Sequence, residues 1–359
     1  MGHDQARDAF ADRLFDAAVD AMDVFCVYLG DRLGLYSVLA RGDAMTPGEL
    51  ATAASVDARY AREWLEQQAA TGIVNVDDPG KPEDERRFSL PPAHAEVLAD
   101  PESRYAMAAT CRSLAAIGGI LPDLVQAFRT GDGVPFEGED TIEAQGDFNR
   151  PWLVGSFATD YLPSIPDLHR RLHEGARVAD VACGAGWAAI SIARAYPNTV
   201  VDGFDLDAAS IELARRNAEE AGVSDRVTFE ARDAGDTGDP ASVGRYDIGV
   251  IIEALHDMSR PVEVLSAVRT LLKETGALVV ADERVADHFL APADLRERLF
   301  YGYSVTACLP AGLMEKPSAA TGTVLRRAKL ERYAADAGFA QTTVLPIDHD
   351  FLRFYRLDP

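Results

Sequence analysis

Residues 177–186, Arg177-Val178-Ala179-Asp180-Val181-Ala182-Cys183-Gly184-Ala185-Gly186, run from a short apolar β-type stretch into a glycine turn, and the helical run WAAISIARAYP (187–197) follows at once. Glycine lets a backbone approach a ligand where a Cβ would collide. Nineteen residues after Gly186, Asp205 closes the next β-type stretch, VVDGFDLD (200–207), where a carboxylate can accept two hydrogen bonds from ribose hydroxyls. The implied ligand is a nucleoside.

The glycines alone admit two cofactors, because Gly184-x-Gly186-x-x-Ala189 also satisfies the dinucleotide fingerprint with alanine in third place. Three features favour S-adenosylmethionine over NAD. Asp180 puts an acid four residues before the first glycine, where a dinucleotide strand is apolar. The third stretch ends Arg232-Asp233-Ala234, which offers a carboxylate to an adenine amino group. The fourth ends Glu253-Ala254-Leu255-His256-Asp257, polar groups at the carboxyl edge where open α/β sheets bind ligands.

Working outward, RVADVA, VVDGFD, RVTFEA, YDIGVII and GALVVAD alternate with helical stretches, the pattern of a doubly wound parallel sheet. The tail LERYAADAGF, QTTVLPI and DFLRFYRL adds a helix and two strands whose short link predicts a hairpin at the sheet edge. Residues 285–325 form a long insertion, aromatic and rich in Gly and Pro, that reads as a loop covering the site. Its Tyr301 and Tyr303 are candidate substrate contacts, or else they pack the helix before the loop.

Before the glycine turn the texture is helical. Phe10, Leu14, Ala18, Phe25, Tyr28, Leu29, Leu33 and Leu35 recur at helical spacing, with turn signals at Gly30 and Gly34. Thr46-Pro47-Gly48-Glu49 combines an N-cap, a first-turn proline and a capping box, so a helix is predicted from about Pro47 to Ala54. A second helix begins near Asp57 and stops at Gly72, and Ile73–Val76 with Arg87–Leu90 flank the polar loop DDPGKPEDE like a hairpin. Helix, turn, helix and β-wing resemble a winged-helix unit. The predicted divisions are 1–100, a winged-helix-like dimerisation and substrate-covering domain; 101–150, a helical linker and connector; and 151–359, the cofactor domain.

Composition narrows the function. Among 359 residues, 35 basic and 58 acidic side chains give a net charge of −23, a field that repels nucleic acid. The second helix of the winged unit carries no fewer acids than arginines, and its wing tip is acidic. No basic-then-apolar leader and no run of about 18 apolar residues stands out, so a soluble cytoplasmic protein without a membrane partner is expected. Cys26, Cys111, Cys183 and Cys308 lie far apart with no CxxC pair, which suggests buried thiols. His169 and His173 stand at i and i+4 with no third ligand in view, so no metal is expected.

Residues from about 150 to 359 resemble the class I S-adenosylmethionine-dependent methyltransferases, and the whole chain is similar to bacterial methyltransferases with a winged-helix domain ahead of the catalytic one. The resemblance implies a mixed seven-stranded sheet of order 3-2-1-4-5-7-6 with its last strand antiparallel, and methyl transfer to a small molecule, most readily a hydroxyl. It implies that Gly184, Ala185 and Gly186 line the methionine moiety, that Asp205 holds the ribose, and that Leu206 meets the adenine face. Asp233 and the Ala234 amide would meet the adenine edge, Asp180 would orient the amino-acid portion, and Glu253 would stand at the cofactor's edge. The segment LHDM resembles the His-Asp-Trp segment of O-methyltransferases, which makes His256 the candidate general base, with Met258 in place of tryptophan. Trp187 departs from the small residue usual after the glycines. Family geometry also suggests Tyr161 over the cofactor, and His349 is either a cleft residue or part of a solvated turn. Three other readings stand beside this one: a winged-helix regulator that senses S-adenosylmethionine, an NAD-dependent dehydrogenase, and an enzyme that keeps the fold and cofactor but performs a non-methylating reaction. A small-molecule substrate and a homodimer built through the N-terminal apolar helices complete the expectation.

Overall fold

The computed structural model describes residues 2–136, 139–233 and 243–359. The chain divides into two compact units, Met1–Gly118 and Gly119–Pro359. The 101–150 segment, expected from sequence as a helical linker and connector, straddles this division. One helix, Ala108–Thr130, runs through the boundary, and the supposed connector already contains a helix over Glu139–Trp152. Ala108–Thr130 is also long and apolar enough to cross a membrane by length and composition, which the sequence scan for apolar runs did not register.

In the first unit, helix His3–Arg32 is continuous. Gly30, read from sequence as a turn, lies inside it. A Cβ there would stand 2.5 Å from the rings of Trp64 and Tyr36, so its value is close approach rather than chain reversal. The chain turns instead at Gly34, in the left-handed region at φ 66°. Thr46 accepts from the Glu49 amide and Glu49 returns the bond, the predicted capping box at the start of helix Pro47–Ala54. Asp57 caps helix Ala58–Ala70. The wing is small: Asn75–Val76 pairs antiparallel with Phe88–Ser89, and Met45 bridges to Phe88. Leu50, Leu65, Tyr36 and Phe88 form its core, each buried apolar side chain contributing about 1.5–3 kcal/mol.

The second unit is built on seven strands: β1 (Arg177–Val181), β2 (Val200–Asp205), β3 (Val227–Ala231), β4 (Tyr246–Ile252), β5 (Leu272–Glu283), β6 (Gln341–Val344) and β7 (Leu352–Asp358). Their order is β3-β2-β1-β4-β5-β7-β6, as expected. The pairs among β1 to β5 are parallel, and β7 runs antiparallel to both β5 and β6. Alternating side chains feed two cores. Val178, Val201 and Val250 pack with Ile190 and Ile211 on one face, while Val181, Ile251 and Leu278 pack with Leu265 and Leu330 on the other. This doubly covered sheet places the carboxyl ends of β1, β2 and β4 side by side.

The 285–325 insertion is less of a loop than its composition suggested. It holds helix Leu295–Tyr303, capped by Asp294, then a π-helical stretch Ser304–Cys308 and a short turn Leu309–Gly312. Glu297, only 4% exposed, accepts the Ala286 amide and an Arg326 nitrogen, so one buried carboxylate ties the start of the insertion to the residue after it.

Candidate functional site

The glycine turn is shaped by its backbone. Ala182, Gly184 and Gly186 all take positive φ, at 56°, 49° and 79°. A Cβ on Gly186 would stand 2.6 Å from the Phe229 ring, whereas one on Gly184 would meet nothing within 4 Å and would project into open space beside the turn. The first glycine keeps room for a ligand and the second allows packing onto β3.

Two carboxylates fix this turn. Asp205, at the end of β2, accepts the Gly184 amide on Oδ2 at 2.8 Å and the Asp207 amide on Oδ1 at 3.0 Å. Asp180, 1% exposed in the middle of β1, accepts the Ala189 amide at 3.1 Å and so caps the helix that leaves the turn. Burial pushes Asp180 up to about 7 and Asp205 above the ordinary carboxylate range. Both therefore hold acceptor capacity in a desolvated place, where a cationic ligand is favoured. Leu206, next to Asp205, is 66% exposed. Asp233 pairs with Arg260 at 3.3 Å, and Ala234 lies outside the described residues.

A second cluster gathers where β4 and β5 end. His256 is 3% exposed. Its Nδ1 lies 3.0 Å from Asp282 Oδ1 and 3.0 Å from Glu283 Oε2, and its Nε2 lies 3.3 Å from Asp257 Oδ1. Burial works against a charged imidazole, but Asp257, Glu283 and Asp282 together outweigh it and hold the pKa well above its ordinary value. The same imidazolium holds Asp282 down against its own burial, while burial pushes Glu283 up. The sequence reading missed Asp282 and Glu283; acids ending an otherwise apolar strand, VVADE, were the available signal.

The remaining candidates fall into two groups. Tyr161 and His349 come together, ring centroids 5.8 Å apart, in a cluster with Trp152 and Phe354. His349 Nδ1 accepts the amides of Phe351 and Leu352, and burial lowers its pKa, so it is a neutral ring that orders the link into β7. Tyr301 OH accepts from Arg326, and Tyr303 sits half-buried on the same helix. Trp187 is 8% exposed under the Arg150 guanidinium at 4.4 Å, a packing role. His169 and His173 meet the Tyr196 ring edge to face.

The strand order is that of the class I methyltransferase fold, and comparison with known proteins agrees. Residues 172–329 match the family described as a methyltransferase domain, and residues 21–100 match the Rv2258c-like winged HTH domain. Two stretches of the chain are thus similar to known domains, a methyltransferase domain and, ahead of it, a winged HTH domain, which favours the methyl donor over NAD as cofactor. A 27-O-demethylrifamycin SV methyltransferase of Amycolatopsis mediterranei is 32% identical over 111 residues, 31% of this chain and 40% of that protein. The chain spans less than half the length of the curated relatives it matches. Among solved structures, human N-acetylserotonin methyltransferase in complex with S-adenosylmethionine aligns with TM-score 0.69 at 17% identity, covering 100% of this chain and 99% of that one. The mitomycin 7-O-methyltransferase aligns with TM-score 0.65 at 18% identity over 99% of each chain. At these identities the two structures share the fold.

Proposed function

We propose that this protein transfers the methyl group of S-adenosylmethionine to a hydroxyl of a small molecule. The observation that carries this is the glycine turn held between Asp205 and Asp180, with the Gly184 side of the turn left open. Gly184, Ala185 and Gly186 would hold the methionine part, Asp205 the ribose, Leu206 the adenine face and Asp233, with Ala234, its edge. Asp180, buried within β1, and Glu253, half-buried just past β4, would serve the cationic portion. When bound, the cofactor supplies a cationic sulfonium with an electrophilic methyl group.

The chain's own part is alignment and proton removal. Asp282, accepting from His256 Nδ1, fixes the ring, and Nε2, which faces Asp257 Oδ1 at 3.3 Å, is the nitrogen that would take the acceptor's proton. Because the neighbouring acids keep the imidazole charged, it works as a base only after losing that proton, and a cation bound nearby favours the loss. Tyr161, His349, Tyr301 and Tyr303 are the proposed acceptor-side residues.

The exposed apolar side chains of helix His3–Arg32, among them Phe10, Phe15 and Met22 at 56%, 71% and 59% exposure, support a homodimer formed through the N-terminal unit. Four free cysteines suit the cytoplasm, and the net charge of −23 disfavours nucleic acid. The test is incubation with S-adenosylmethionine and a panel of hydroxylated aromatic metabolites. Mass spectrometry should find a methylated product and S-adenosylhomocysteine in equal amounts; methylation confined to amines would overturn the hydroxyl assignment.

A further inference from the structure

His256 meets different chemistry on its two sides. At Nδ1, Asp282 accepts at 3.0 Å and holds the ring. Nε2 faces Asp257 Oδ1 at 3.3 Å, an oxygen that is buried and takes part in no hydrogen bond among the described residues. The Cys308 thiol completes the group. An imidazole nitrogen of His256, a carboxylate oxygen of Asp257 and the Cys308 sulfur all lie within 4.8 Å of one another.

Two segments supply these atoms, and they are bolted together. Asp257 lies just past β4, and Cys308 closes the π-helical stretch Ser304–Cys308 of the insertion. The Ala319 amide donates to the Ser259 carbonyl at 2.8 Å, and the Ser259 hydroxyl donates to Glu315 at 2.8 Å. A Cβ on Gly312 would stand 3.3 Å from the Asp257 carbonyl oxygen. The insertion therefore presses Cys308 onto His256 through fixed backbone, and π-helical turns of this kind are frequent at functional sites.

Nitrogen, oxygen and sulfur donors in one place suit zinc and exclude magnesium and calcium, which take oxygen alone. Tetrahedral zinc spaces such ligands about 3.3–3.7 Å apart, so the Nε2–Oδ1 separation already fits. A carboxylate on the far ring nitrogen, here Asp282, is the usual support of a metal-binding histidine. Asp257 and Cys308 are only half-buried, which leaves an entry path and an open fourth position.

We propose that His256 Nε2, Asp257 and Cys308 bind a zinc ion, and that the ion switches the base off by taking the Nε2 lone pair. As it binds, bonds from zinc to nitrogen and sulfur replace the Nε2–H and S–H bonds, and both protons pass to solvent. The switch rests on the methyltransferase reading of the site, whereas the metal binding does not. The sequence expectation of no metal weighed only His169 and His173, while these three ligands are brought together by the fold.

Titration of zinc or cobalt chloride into the reduced full chain, without cofactor, tests the site. The wild type should bind one equivalent of cobalt with the charge-transfer absorption of a cobalt–thiolate bond. Zinc should displace that cobalt and magnesium should not. Cys308→Ser should abolish the absorption, and Cys308→Ser and Asp257→Asn should each weaken zinc about tenfold or more, with Asp282→Asn weakening it about 10- to 100-fold. Melting curves taken without metal show whether each variant folds; if Cys308→Ser does not, Asp257→Asn carries the test. Absorption that persists in Cys308→Ser, or zinc affinity unchanged in Asp257→Asn, overturns the site. Magnesium bound as tightly as zinc overturns it too, since that points to the carboxylates of Asp282 and Glu283 instead. In methyl-transfer assays zinc should suppress turnover and a chelator should restore it; full turnover with zinc bound overturns the switch. If zinc binds as described while no acceptor is methylated, the methyltransferase reading falls and the metal site stands.

Discussion

The Gly184 amide donates to the Asp205 carboxylate at 2.8 Å, so the end of β2 holds the turn that follows β1. The residue assigned to the ribose also preforms the glycine turn. Site and scaffold are coupled through one side chain, and substitutions around it are expected to change both.

Asp180 gives the clearest pH signature. Its folded pKa, near 7, lies above the ordinary 3.8, so the folded state binds more protons than the unfolded state between those values. Its contribution to stability is most favourable below about 4 and declines as pH rises to 7. Asp180→Asn, which can still cap the helix, removes that decline. Urea midpoints of variant minus wild type should therefore rise from pH 5 to pH 8; a constant difference would sink the assignment of a buried, uncompensated acid.

For His256 the prediction concerns turnover. The folded imidazole is held charged well above its ordinary 6.5, so turnover should climb with pH along a limb displaced above that value. Asp282→Asn removes one of the acids responsible and should move the limb to lower pH. His256→Ala should lower turnover about 10²- to 10⁴-fold while leaving cofactor affinity nearly intact. Loss of cofactor binding with turnover preserved at saturation would mark His256 as structural.

Light scattering checks the homodimer. Phe15 and Met22 lie on the exposed face of helix His3–Arg32. A Phe15→Glu/Met22→Glu double variant should shift the protein from dimer to monomer without lowering helicity. A dimer that persists in the double variant would place the contact elsewhere.

How much of this was legible before the structure depends on range. The doubly wound sheet followed from alternating β and helical runs and its strand order from the family resemblance, while the meeting of Asp205 with the glycine turn was legible because a turn and its flanking strands are written contiguously. Gly30 misled because a glycine that permits close approach to Trp64 looks the same in sequence as one that breaks a helix. The helix over 139–152 was hidden by Gly146 and Pro151, residues that weaken helical propensity and that tertiary packing overrode. Asp282 and Glu283 escaped notice for a different reason. Each matters through a neighbour far along the chain, as Asp282 does through His256, and no periodic pattern announces such a pair.

The central claim is that this turn holds S-adenosylmethionine, and calorimetric titration tests it most directly. The wild-type protein should bind S-adenosylmethionine saturably and show no saturable binding of NAD. Asp205→Ala should weaken the methyl donor by roughly 1.5–3 kcal/mol, the range for a lost hydrogen bond to a charged group. Binding of S-adenosylmethionine unchanged by Asp205→Ala, or NAD binding as tight as that of the methyl donor, would contradict the account.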